Sequence, residues 1–191
     1  MEKNSKNIIF FKKKIKFLRL FFLKMILEGN KYHIGGSLSC LDMMTYLFYS
    51  GVINLKNKNR NLFLLSKGHA LGIFHAILLD QKLLSKNKYN LLTRTNKIGG
   101  QLDVINLNYV DWNTGSLGHS IGVAIGLAIA NPKKKIFTII GDAEIDEGSV
   151  WEGLFFISEN RIKNIHIIID RNRLSASSFI KKKDIFDNNF F

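Results

Sequence analysis

The sequence predicts an α/β fold, a mostly parallel sheet with helices on both faces, and three segments carry that prediction. Residues 136–140 and 165–169 are β-branched apolar runs of the kind found in strands buried on both faces. Between them Val150, Trp151, Leu154 and Phe155 recur at helical steps, so strand, crossover helix and strand form a βαβ unit with a parallel pair. Residues 61–66 read as a third, short buried strand, which runs into Lys67-Gly68-His69-Ala70 and an apolar helix through Leu79.

The remaining elements follow in chain order. Phe11, Ile15, Leu18, Phe22 and Ile26 recur at three- and four-residue steps, the mark of a helix that buries one face and ends near Gly29. Residues 1–24 hold eight basic side chains and one acid, which the same periodicity assigns to the solvated face of that helix. Residues 1–13 are read as a basic N-terminal extension and residues 14–191 as one domain. A loop, Tyr32-His33-Ile34-Gly35-Gly36-Ser37, leads to a helix from Ser39 to about Tyr49, with Ser39 as its N-cap. Gly118, Gly122, Gly126 and Ala130 place small residues at every fourth position, a smooth ridge suited to packing on a sheet or on a second subunit.

Composition narrows the function classes. The 191 residues carry 28 Lys and Arg against 15 Asp and Glu, a formal charge of +13, and are 46% hydrophobic, which is ordinary globular usage. Heavy use of Lys, Ile and Asn throughout reads as coding bias, which weakens charge as a functional signal. Basic residues interrupt every apolar run before it reaches the roughly 20 residues a bilayer needs, and no signal-peptide core is present. The basic runs lack the interleaved aromatics that stack bases, so neither a membrane nor a nucleic-acid role is expected. One Cys, Cys40, excludes an internal disulfide and, with scattered histidines, a structural zinc site. A reducing, cytoplasmic setting is expected.

In a parallel pair both strands end on one edge, so Asp142 and Asn172 should arrive side by side where open α/β sheets bind ligands. A carboxylate, an amide oxygen and backbone carbonyls are hard donors suited to Mg²⁺ or Ca²⁺. Such a magnesium usually brings a phosphate, and the helix start after residues 115–118 offers free N–H groups to it. Taken alone, Asp142 reads also as a helix N-cap and Asn172 as a turn residue.

Five blocks in order then carry a resemblance: His33-Ile34-Gly35-Gly36-Ser37-Leu38-Ser39, Leu65-Ser66-Lys67-Gly68-His69-Ala70, Thr114-Gly115-Ser116-Leu117-Gly118-His119, Gly141-Asp142-Ala143-Glu144 with Glu147-Gly148-Ser149-Val150-Trp151-Glu152, and Asp170-Arg171-Asn172. From about residue 14 to about residue 178 the chain is similar to the thiamine-diphosphate-dependent transketolases, specifically the N-terminal subunit of the split form.

The resemblance implies the thiamine-diphosphate-binding fold and a diphosphate- and Mg²⁺-binding subunit, with Ca²⁺ a substitute metal. By it, Asp142, Asn172 and the carbonyl of Leu174 hold the metal. Gly115, Ser116, Leu117, Gly141, Ala143 and His69 lie against the cofactor, with the Ala143 N–H on the diphosphate. His33 faces the sugar and His69 the cofactor as catalytic residues. Glu147 matches an acid at the subunit interface, whereas His75 and His166 match nothing and read as structural.

The implied reaction moves a two-carbon ketol unit between sugar phosphates of the pentose phosphate pathway. It needs a complementary C-terminal subunit in a dimer or heterotetramer. Alternatives are another thiamine-diphosphate enzyme subunit, or an inactive, truncated subunit with a structural role. Gln101 stands where relatives carry His in Gly-Gly-His-Pro, Ala143 replaces a Gly, and His119 stands where many have Gln. The chain is expected to be incomplete at its C-terminus, since residues 184–191 show no further element.

Overall fold

A computed structural model describes residues 2–98, 102–107 and 109–175, and its centre is a three-stranded parallel sheet. Strand β1 (Leu62–Leu65) pairs with β2 (Ile136–Gly141), and β2 pairs with β3 (Ile165–Asp170), in the order β1-β2-β3. Leu62 lies opposite Ile136 and Ile136 opposite Ile165, so all three strands end on the same edge. The βαβ unit is therefore present, and the strand before Lys67 joins it.

Strand alternation sends side chains to two separate helical layers. Leu62, Leu64, Ile136, Ile140, Ile165, Ile167 and Ile169 face α6 (His119–Ala130) and α7 (Gly148–Glu159). Phe63, Leu65, Phe137, Ile139 and Ile168 face the larger core, built with α1 (Glu2–Leu27), α3 (Leu41–Tyr49), α4 (Leu71–Asp80) and α5 (Lys86–Arg94). Helices thus cover both faces, as the apolar runs require. The first two strands are buried as expected, whereas residues 165–169, in the edge strand β3 of the described sheet, are only partly buried.

Helix α1 buries Leu18, Phe22 and Met25 and exposes Lys12, Lys13, Lys16, Arg19 and Lys24. Its outer face is not purely polar, since Phe17, Leu20 and Leu27 are exposed among the cations. It is one helix from Glu2 to Leu27, and Gly29 follows in the left-handed region at φ 89. No helix of the described residues is long and apolar enough to cross a membrane.

Two local expectations are corrected. Ser39 does not cap a helix: a short helix α2 (Ile34–Ser39) occupies most of the expected loop, and Cys40 separates it from α3. The Ser39 hydroxyl donates instead to Asp170 Oδ1 at 2.7 Å, a long-range contact that outweighs a local cap. Phe155 does not share the packed face of α7; it is 69% exposed, while Val150, Gly153, Leu154 and Ile157 turn inward. Of the histidines read as structural, His75 is fully buried and His166 stacks on Phe137 with centroids 4.7 Å apart.

Candidate functional site at the strand ends

The chain leaves the three strands at Ser66, Asp142 and Arg171, all on one edge, and each exit is held by a buried or half-buried carboxylate. Asp142 starts a 3-10 turn over Ala143–Asp146 and accepts the Ala143 N–H on Oδ1 at 3.0 Å. Its Oδ2 accepts the Arg173 N–H at 2.6 Å, across from β3, and its own N–H donates to the Asp170 carbonyl at 3.2 Å. Asn172 Oδ1 accepts the Leu174 N–H at 2.8 Å, closing a turn in the same loop. Asp142, Asn172 and Leu174 are therefore brought together, as the parallel pairing requires. Among the described residues no group of three or more His, Cys, Asp and Glu could hold a metal. One carboxylate, one amide and a backbone carbonyl is the oxygen-donor alternative, suited to a hard dication.

Asp170 ends β3 and is nearly fully buried. It pairs with Lys67 Nζ through Oδ2 and with Ser39 through Oδ1, so one carboxylate ties α2 to the turn after β1. That turn, a single 3-10 turn over Gly68–Ala70, presents His69. The His33 and His69 rings meet edge to face with centroids 5.7 Å apart. Gly36 lies directly beneath His69: a Cβ there would come within 2.5 Å of Cδ2 and 2.7 Å of Nε2, so only glycine lets the ring settle. Burial lowers the His69 pKa, and the Lys67 ammonium and then His33 add to the effect, leaving the imidazole neutral at neutral pH. His33 itself is exposed at the start of α2.

Gly115, Ser116 and Leu117 form an exposed turn before α6, and the first two line a cleft of about 200 Å³ together with Ser66, Trp112, Asn113, Thr114, His119 and Ser120. Ser116 Oγ lies 3.4 Å from His119 Nε2. Gly118 adopts φ 79, and a Cβ on it would press on Ser149 Oγ and come within 3.1 Å of Glu147 Cβ, which fixes the approach of α6 to α7. Gln101 lies outside the described residues, as do residues 176–191.

Glu144 has no role in the sequence reading beyond its place in the Gly141-Asp142-Ala143-Glu144 block. The structure buries it to 1% exposure, where it accepts from Ser66 Oγ, Gly118 N–H and Gly141 N–H. Lys67 and Asp170 were also passed over. Their signal was a Lys and an Asp each abutting an apolar strand end, where an ion must find a partner.

Residues 11–188 match the family described as transketolase, thiamine diphosphate binding domain. The chain belongs to that family. It is 32% identical over 158 residues to one of the named subunits of the apulose-4-phosphate transketolase of Actinobacillus succinogenes, covering 78% of this chain and 57% of that protein. Against the protein of the same name from Phocaeicola vulgatus it is 30% identical over 164 residues, covering 81% and 58%. The chain thus spans less than two thirds of these relatives. The transketolase structure from Campylobacter jejuni superposes with a TM-score of 0.79 at 25% identity, covering 94% of this chain and 30% of that one. The fold is the thiamine-diphosphate-binding fold of transketolases, and the match spans all five sequence blocks.

Proposed function

We propose that the chain is the diphosphate- and metal-binding half of a split, cytoplasmic transketolase, working in a dimer or heterotetramer with a complementary subunit. Its reaction class is transfer of a two-carbon ketol unit from a ketose phosphate to an aldose phosphate. Two relatives whose names make them separate subunits of a transketolase support the split arrangement. The observation that carries the reading is Asp142, held at the end of β2 against the 172–174 turn through the Arg173 N–H at 2.6 Å.

The residues present fit the cofactor. Asp142, Asn172 and the Leu174 carbonyl would hold Mg²⁺, or Ca²⁺ in its place, as hard oxygen donors. Gly115, Ser116, Leu117, Gly141 and Ala143 would lie along the diphosphate. The Ala143 N–H rests on Asp142 Oδ1, so contact with a phosphate requires that the carboxylate turn away toward the metal. Bound thiamine diphosphate supplies the carbanion and electron sink for cleaving the donor's carbon–carbon bond. His69, kept neutral by burial and Lys67, can accept a hydrogen bond or a proton beside the cofactor. His33, exposed and in ring contact with His69, faces the open side, where a sugar hydroxyl would bond.

The test is calorimetric titration of thiamine diphosphate with Mg²⁺ into the chain, alone and with a candidate chain carrying the pyrimidine-binding half. Binding should need Mg²⁺ and vanish with a chelator. Asp142→Ala should weaken it by more than about a hundredfold, the order expected when one partner of a buried charge contact is removed. Equal affinity in wild type and Asp142→Ala refutes the assignment.

A further inference from the structure

Glu144 lies where three loops of the candidate site meet, and the chemistry proposed above makes no use of it. Ser66 is the residue between β1 and Lys67. Gly118 closes the 115–117 turn and starts α6, and Gly141 immediately precedes Asp142. These three positions are 52 and 23 residues apart in the chain, yet all donate to one side chain. Glu144 Oε1 accepts from Ser66 Oγ and from the Gly118 N–H at 2.8 Å, and Oε2 accepts from the Gly141 N–H at 3.2 Å.

We propose that Glu144 is a positioning residue, a carboxylate strap that holds the three cofactor loops in register before ligand arrives. The proposal rests on the thiamine diphosphate reading above and adds to it a residue that touches neither metal nor sugar.

A carboxylate is needed because it offers two acceptor oxygens and no donor. All three partners are donors, and both N–H groups are fixed by the backbone. Glutamine, the same shape, fails in either orientation. With its amide nitrogen at the Oε2 position it meets the Gly141 N–H, and at the Oε1 position it meets the Gly118 N–H. Only the Ser66 hydroxyl can rotate to accept. An apolar side chain would fill the space but leave both N–H groups unpaired. Burying a carboxylate is itself unfavourable, and a group selected for packing alone would carry no charge here. The arrangement makes sense when the loops must be preset, so that ligand binding does not also have to order them.

The test compares wild type, Glu144→Gln and Ser66→Ala in the full chain, in whichever preparation, with or without the complementary chain, wild type binds. Probes are thiamine diphosphate with Mg²⁺ by calorimetry, melting temperature, and hydrogen exchange at the Gly118 and Gly141 amides. Glu144→Gln should fold, bind about tenfold more weakly, the order of one orphaned buried donor, and exchange faster at one or both amides. A merely structural role would lower the melting point while the folded fraction bound normally. Wild-type affinity in folded Glu144→Gln overturns the proposal. If Glu144→Gln does not fold, Ser66→Ala decides: a several-fold loss of affinity supports the strap, and unchanged affinity overturns it. If wild type never binds cofactor, the functional reading fails on its own, and the exchange rates still judge the strap, with unchanged rates in Glu144→Gln overturning it.

Discussion

Gly153 on α7 and Gly122 and Gly126 on α6 are chemically identical residues in neighbouring helices, and the structure predicts opposite effects for the same substitution. A Cβ on Gly153 would press into Ile121 Cγ2 and lie 3.3 Å from Ile121 Cβ and 3.5 Å from Ile125 Cδ1. Ile121 cannot retreat, because it is fully buried against Ile140, Ile145 and Val150. Overpacking of this kind costs about 1–3 kcal/mol, and the better helix propensity of Ala returns about 1 kcal/mol. The net for Gly153→Ala is up to about 2 kcal/mol of destabilisation, or up to roughly 8 °C in melting temperature for a chain of this size. At Gly122 and Gly126 a Cβ meets nothing within 4 Å. There the propensity term stands alone, and each Ala should raise the melting point by roughly 2–4 °C. Thermal melts followed by far-UV circular dichroism read all three variants. The reasoning is refuted if Gly153→Ala melts at or above wild type, or if Gly122→Ala and Gly126→Ala melt below it. The same open ridge invites a partner helix, so the two stabilising variants should also be tested for weaker assembly with a complementary chain.

Two further predictions concern buried charge. His75 is fully enclosed, and burial lowers its pKa to about 3, so the unfolded chain, with an ordinary His value near 6.5, takes the proton first. Its contribution to stability is complete above about pH 6.5 and declines as pH falls toward 3, by about 2 kcal/mol at pH 5. Urea unfolding at pH 7.5 and pH 5 should show a smaller drop in folded His75→Gln than in wild type; equal drops would exclude His75 as the cause. Lys67→Met should strand the Asp170 carboxylate with Ser39 as its remaining side-chain donor among the described contacts, at a cost of about 3–5 kcal/mol. Lys67→Met with Asp170→Asn should recover at least half of that by denaturant unfolding, and a double variant no more stable than the single one counts against the ion pair.

What the sequence revealed, and what it hid, follows the range of the interactions concerned. The strands at 62–65, 136–141 and 165–170 were legible because β-branched runs carry their own signal, and their shared edge follows from parallel pairing alone. Asp142 and the 172–174 turn were legible for the same reason. The helix Lys86–Arg94 was not anticipated: it is mostly polar, buries only Tyr89 and Leu92, and owes its start to Ser85, which accepts the Lys88 N–H at 3.2 Å. Ser39 was misread as a cap because its true partner, Asp170, is 131 residues away. Glu144 drew no reading of its own because nothing within its segment reveals that Ser66 and Gly118 converge on it.

The hidden residues and the legible ones occupy different depths. His33, Ser116 and Leu117, expected to meet ligand, are exposed, and Asp142 and Asn172 are half-buried. Glu144, Asp170 and Lys67, which hold the loops from behind, are nearly fully buried. A front residue can be exchanged at little cost to the fold, whereas a residue behind leaves a buried donor or charge without its partner when it is removed. Melting temperature and cofactor affinity should therefore separate for the front set and fall together for buried side chains whose loss breaks a network. Glu144→Gln is the informative intermediate: it preserves shape and most contacts, so a loss of affinity larger than its loss of stability would show that loop register, rather than packing, is what the buried carboxylate supplies.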